Sequence, residues 1–141
     1  MSIPTLIHVC LMALMVLLCS AAAFVAWRRG AHWFPRHRLL GLSGAGSGLA
    51  GLTVMIVQKI QHGYPHFASP HAIIGLSAGI LLVIVPALGY FGARGQSQLK
   101  LPHRYLARLL ILLSLTALLI GVIRYFQLSK PAPAATPPAA S

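Results

Sequence analysis

Residues 71–91 read HAIIGLSAGILLVIVPALGYF, an apolar stretch without Lys, Arg, Asp or Glu. A helix needs about 20 apolar residues to cross the hydrocarbon core of a bilayer, and this stretch has that length. Three more stretches share this length and apolar character, at residues 4–27, 37–57 and 103–126. Short links join them, at residues 28–36, 59–70 and 93–102. Because short links force neighbouring helices to be antiparallel, the sequence predicts an all-α membrane protein, an up-down bundle of four transmembrane helices.

The composition excludes whole classes of chemistry. Of the 141 residues 57% are hydrophobic, and the 11 charged residues are all Lys or Arg. Without Asp or Glu there is no carboxylate acid or base, no Ser–His–Asp triad and no carboxylate-held Mg²⁺ or Ca²⁺. A net charge of +11 on so apolar a chain favours lipid over nucleic acid as a partner. Cys10 and Cys19 form no CxxC motif and predict neither a disulfide nor a zinc site.

The cations divide unevenly between the two sides of the predicted bundle. Eight lie beside the first and third links: Arg28, Arg29, Arg36, Arg38, Arg94, Lys100, Arg104 and Arg108. Three lie on the other side: Lys59, Arg124 and Lys130. The positive-inside rule then puts the first and third links in the cytoplasm and both termini outside. We expect the membrane to be a bacterial inner membrane, with the termini in the periplasm. We interpret residues 4–27 as a retained helix, because no basic residue precedes the apolar run as in a cleaved leader.

Four of the seven histidines stand at or near the starts of the four predicted helices: His8, His37, His71 and His103. Helix starts alternate between faces, so His8 pairs with His71 on the outer face and His37 with His103 on the cytoplasmic face. Such pairs suit two six-coordinate haems, each with two axial imidazoles. A proton relay and ordinary interfacial placement are the alternatives. The other three histidines fall in the links, where we expect them to be solvated: His32, His62 and His66.

Small residues follow two of these histidines at helical spacing. They are Gly41, Gly44, Ala45, Gly48 and Gly51 after His37, and Gly75 and Gly79 after His71. A macrocycle about as wide as a helix needs small residues where it passes the backbone. Small residues also serve ordinary helix–helix contact in membranes, and the sequence leaves both interpretations open.

Because the chain has no carboxylates, other groups must contact the haem propionates and the second nitrogens of the imidazoles. The expected propionate partners are cations, with lipid headgroups as their alternative ligands: Arg36, Arg38, Lys100 and Arg104 at the cytoplasmic haem, and Lys59 and Arg124 at the outer one. The second nitrogen of each imidazole must bond a backbone carbonyl, a water or a hydroxyl such as Ser43 or Ser77. Ligands so held are less electron-rich, which predicts reduction potentials towards the upper end for bis-histidine haems.

Two stretches carry a resemblance to a known family. HFASPHAIIGLSAGILLVIVPALGYF and LPHRYLARLLILLSLTALLIGV resemble the last two core helices of the cytochrome b561 and ferric-reductase transmembrane domains. There an HAILGL-like helix start precedes an HRxLGRL-like one; Ala107 stands where that second pattern has glycine. IHVCLMALMVLLCSAAAFVAW and HRLLGLSG are similar to the first two core helices, so the resemblance covers residues 8–126.

The resemblance implies two b-type haems on opposite sides of the membrane. In that family the first and third core helices ligate one haem, which implies His8 and His71 here. The second and fourth core helices ligate the other haem, which implies His37 and His103. Residues 1–128 would then form a haem-binding transmembrane domain. Residues 129–141 are rich in Pro and Ala and are predicted to be a disordered tail.

Two functions follow from these expectations. Two imidazoles fill both axial positions of an iron, so such haems pass electrons rather than activate oxygen. The first function is electron transfer across the bilayer between a donor and an acceptor on opposite faces. Activity towards ferric chelates, ascorbate or quinone is left open. The second is a non-catalytic anchor or accessory subunit of a larger respiratory or photosynthetic complex, or a homodimer, with the glycine-rich second helix as its packing surface.

Overall fold

A computed structural model of the chain describes residues 2–63 and 69–128. In these ranges the chain forms four α-helices, α1 (Ile3–Arg28), α2 (Trp33–Gln61), α3 (Pro70–Ala93) and α4 (Lys100–Leu128), with a 3-10 turn at Ser97–Leu99 before α4. All four are long and apolar enough to cross a membrane. The chain is therefore an all-α membrane protein built as a four-helix bundle, as predicted. The predicted tail lies outside the described residues.

Two helices begin earlier than the hydropathy pattern predicts. α2 begins at Trp33 rather than residue 37, and α4 at Lys100 rather than residue 103. The helical backbone continues beyond the apolar stretch, and Pro35 fits there because the first-turn N–H groups of a helix have no partner within it. His37 and His103 therefore lie about one turn inside their helices.

The helices pack as two antiparallel hairpins, α1 with α2 and α3 with α4, and the contacts between hairpins are less extensive. Glycines on α2 bring the first hairpin close together. A Cβ on Gly44 would lie 2.8 Å from the sulfur of Cys19, and one on Gly51 would lie 3.1 Å from the Cβ of Leu11. The Ser47 hydroxyl also donates to the Leu11 carbonyl at 2.9 Å. The hairpins are thus the closely packed units of the fold.

An apolar layer midway along the helices joins the hairpins. Met15, Ala78 and Leu82 are at most 1% exposed there. A Cβ on Gly48 would lie 2.6 Å from Leu82 Cδ1 and 2.8 Å from Met15 Cγ, so this glycine lets three helices meet. Many other large apolar side chains point outwards, for example Leu112 at 61% exposure, as a lipid-facing surface requires.

Candidate functional site

The four helix-borne histidines lie in two pairs between the hairpins. The ring centroids of His8 and His71 are 6.4 Å apart, with their planes at 83°. Those of His37 and His103 are 6.0 Å apart, with their planes at 88°. All four side chains are half-buried. These are the two pairs that the alternation of helix starts predicts, and each joins one hairpin to the other.

A hydrogen bond from Nδ1 to a backbone carbonyl of a neighbouring helix holds each imidazole. The acceptors are Gly51 for His8 (2.9 Å), Ala22 for His37 (3.0 Å), Ala117 for His71 (2.9 Å) and Val85 for His103 (3.0 Å). A carbonyl only accepts, so Nδ1 carries the proton and Nε2 keeps its lone pair. Metal-ligating imidazoles are held in this way.

Backbone carbonyls therefore accept the hydrogen bonds from the second imidazole nitrogens, for which hydroxyls were also expected as partners. The Ser77 hydroxyl instead donates to the Ile73 carbonyl of its own helix at 3.0 Å, and Ser43 is exposed. A backbone carbonyl is available at every residue of a helix, whereas a hydroxyl must point in the right direction. Of the three kinds of partner expected, the backbone carbonyl is therefore the one that these four imidazoles use.

The four acceptor carbonyls share one spacing. Each lies 14 residues after the histidine of its own helix: Ala22 after His8, Gly51 after His37, Val85 after His71 and Ala117 after His103. Within a hairpin, each histidine bonds the acceptor on the partner helix, so both hairpins have the same internal two-fold arrangement. Fourteen residues of α-helix rise about 21 Å. The two histidine pairs are therefore separated by about that distance along the bundle.

Two glycines that the sequence analysis did not single out position the rings. The ring of His71 lies against Gly121 and that of His103 against Gly89, where an added Cβ would be 3.0 Å from Cε1 in both cases. Each glycine lies 18 residues after the histidine of its own helix, Gly89 after His71 and Gly121 after His103. That spacing is five helical turns and puts both on the histidine-bearing face. It is the signal in the sequence that could have identified them.

The glycines that follow His37 and His71 fall into two groups. One turn after each histidine, at Gly41 and Gly75, an added Cβ would meet nothing within 4 Å. At four glycines further along, an added Cβ would meet side chains of neighbouring helices: Gly44, Gly48, Gly51 and Gly79. The first group leaves open space about one turn from a histidine, whereas the second serves helix–helix packing.

A cavity of about 990 Å³ lies at the His37–His103 end of the bundle. All four helices line it, and both imidazoles and Gly41 are part of its wall. Six cationic side chains also line it: Arg29, Arg38, Arg94, Lys100, Arg104 and Arg108. Three of the four cations expected there are thus present, whereas Arg36 is not among the described residues of the lining. We call this the cationic end.

The opposite end carries less positive charge. Along the described helices it has Lys59 near the end of α2 and Arg124 near the end of α4. Lys130 lies outside the described residues. Of the three histidines expected in the links, His32 and His62 are exposed, as predicted, and His66 lies outside the described residues.

Each pair offers two imidazoles as potential ligands. In residues 2–63 and 69–128 no three His, Cys, Asp or Glu side chains come together as a metal site. A porphyrin supplies four nitrogens itself, so its iron needs only two ligands from the protein. The ring centroids of the two pairs lie 6.4 and 6.0 Å apart, which brings two imidazoles together at each end of the bundle.

Fold and site together define a class of protein, a four-helix integral membrane protein with a cross-hairpin imidazole pair near each end of the bundle. Comparison with known protein families, with curated proteins and with solved structures found no match.

Proposed function

We propose that the chain is a membrane-embedded di-haem cytochrome that resembles the cytochrome b561 and ferric-reductase transmembrane domains. It carries electrons across the bilayer between a donor and an acceptor on opposite faces. The observation that carries the proposal is the repeated geometry of the two pairs. Ring centroids lie 6.4 and 6.0 Å apart, and each of the four rings is held through Nδ1 with Nε2 left as the ligand atom.

The side chains have distinct tasks in this proposal. His8 and His71 would hold one haem b, and His37 and His103 would hold the other. A bound haem supplies one-electron exchange between ferric and ferrous iron. Held by two imidazoles, each haem would serve to exchange electrons rather than to bind oxygen. The cations of the cavity lining neutralise propionate carboxylates: Arg38, Lys100 and Arg104.

The layer between the two sites favours electron transfer over a proton relay. Met15, Ala78 and Leu82 fill it, and Ser114 is the one buried polar side chain among the described residues. The histidine pairs are about 21 Å apart along the bundle, too far for direct proton exchange. The described core therefore has no series of protonatable side chains that could relay a proton between the two histidine pairs.

Orientation follows from the charge difference between the ends. The cationic end faces the cytoplasm under the positive-inside rule, which puts both termini in the periplasm of a bacterial inner membrane. The haem of His37 and His103 is then the inner one, and that of His8 and His71 the outer one.

The alternative function, an anchor or accessory subunit, drew on the glycine-rich second helix as a surface for a partner. In the fold, the added Cβ atoms of Gly44 and Gly51 would meet α1, and that of Gly48 would meet both α1 and α3. Packing within the chain therefore accounts for these three glycines. Stoichiometric co-purification with other membrane subunits would favour the alternative, and a haem-loaded chain that does so would combine both functions.

A reduced-minus-oxidised absorption spectrum of the detergent-purified chain tests the proposal. We expect the α-band of b-type haem, and His71→Ala and His103→Ala should each halve it by removing one site. His62→Ala is the matched control, because this exposed histidine is in neither pair. Circular dichroism on each variant separates loss of one site from loss of the fold. A well-folded wild-type chain without a b-type band would contradict the proposal.

A further inference from the structure

The two ends hold their imidazoles in the same way. At both ends Nδ1 donates to an uncharged backbone carbonyl at 2.9 or 3.0 Å. Ligand identity and hydrogen bonding to the ligands are two of the means by which a protein sets the reduction potential of haem. Because both are matched here, they give no reason for the potentials of the two sites to differ.

The surrounding charge is not matched. Six cations line the cavity of the cationic end, and the chain has no Asp or Glu. The two propionates of one haem neutralise two of the six, which leaves four cations in surplus. The opposite end carries fewer cations, with Lys59 and Arg124 on the described helices and Lys130 outside the described residues. Nearby positive charge disfavours the oxidised iron, which is the more positive form.

We infer that the His37–His103 site has the higher reduction potential, and that the chain passes electrons towards the cationic end. This inference rests on the proposed function. A one-electron reductant at the opposite end is oxidised by one electron. A one-electron oxidant of net negative charge, attracted by the surplus cations, is reduced by one electron at the cationic end. No bond forms or breaks, and no proton crosses the apolar layer.

The two sites can be titrated one at a time. His71→Ala leaves the site at the cationic end, and His103→Ala leaves the site at the opposite end. In a spectro-electrochemical titration, we expect the haem retained by His71→Ala to have the more positive midpoint. Equal midpoints, or the reverse order, overturn the inference while leaving a di-haem protein. Absence of haem from the wild-type chain overturns the proposed function instead.

Charge neutralisation tests the same inference in the intact chain. Arg94 and Arg108 line the cavity, whereas Arg28 is at the same end but outside the lining. The double variant Arg94→Gln/Arg108→Gln should shift the more positive of the two titration waves to lower potential. Arg28→Gln, the matched control, should shift it less. A shift of the other wave, or of neither, overturns the inference.

Discussion

The two ends of the bundle share one ligand geometry and differ in charge. At both ends a pair of half-buried imidazoles bridges the hairpins, with ring planes at 83° and 88°. Six cations line the cavity at one end, and Lys59 and Arg124 are the described cations of the other. The shared part comes from the internal two-fold arrangement of the hairpins, and the unequal part from which links carry Arg and Lys. Ligand geometry and electrostatic environment can therefore be changed independently.

The largest expected effect comes from the layer between the ends. Gly48→Leu places a side chain where even a Cβ would lie 2.6 Å from Leu82 and 2.8 Å from Met15. Overpacking of this kind costs about 1–3 kcal/mol, and we expect loss of haem at both ends and a lower unfolding temperature. Haem content per chain and thermal unfolding in detergent measure the two effects. Gly46→Leu is the control, since nothing lies within 4 Å of its added Cβ. Unchanged haem content in Gly48→Leu would contradict this account of the layer.

Substitutions at the ring-packing glycines should separate the ends. Gly89→Leu displaces the His103 ring and Gly121→Leu displaces the His71 ring, because an added Cβ would already lie 3.0 Å from either ring. Each should halve the haem content. Combining Gly89→Leu with His71→Ala should leave no haem, whereas combining it with His103→Ala should leave one. The opposite result for these combinations would show that Gly89 supports the His8–His71 site instead, which would contradict this account.

Spectroscopy of the ferric chain should show how closely the ends match. The two rings of each pair are nearly perpendicular, at 83° and 88°. Perpendicular axial imidazoles interact equally with the two iron d orbitals available for π bonding and leave them close in energy. We expect a strongly anisotropic low-spin electron paramagnetic resonance signal from both sites. The rhombic signal of parallel rings, from either single-site variant, would contradict the geometry at that end.

The smallest expected effect lies midway between the ends. Ser114 is 1% exposed, and its hydroxyl has no hydrogen-bond partner among the described residues. Ser114→Ala removes an unsatisfied buried group, so we expect a gain of about 1 kcal/mol in unfolding free energy. Haem content at both ends should be unchanged. Reduced stability or loss of haem would show that the hydroxyl serves one of the sites.

The apolar stretches predict the fold because length and hydropathy are properties of the chain alone. Alternating helix starts likewise predict which histidines meet, for example His8 with His71. The hydrogen-bond acceptors of the imidazoles could not be predicted in this way. Every residue has a backbone carbonyl, so the identity of Ala22 or Val85 does not show that its carbonyl is an acceptor. Their common 14-residue spacing becomes visible only once the helices are packed. The helix ends were also missed, since α2 begins in a polar segment at Trp33.

The haem content of the purified wild-type chain tests the central claim most directly. Pyridine haemochrome absorbance divided by the polypeptide concentration gives the number of haems per chain. The account predicts two haem b per chain, and one in the His71→Ala or the His103→Ala variant. A correctly folded chain that contains no haem, after expression in cells that supply it, would contradict the account.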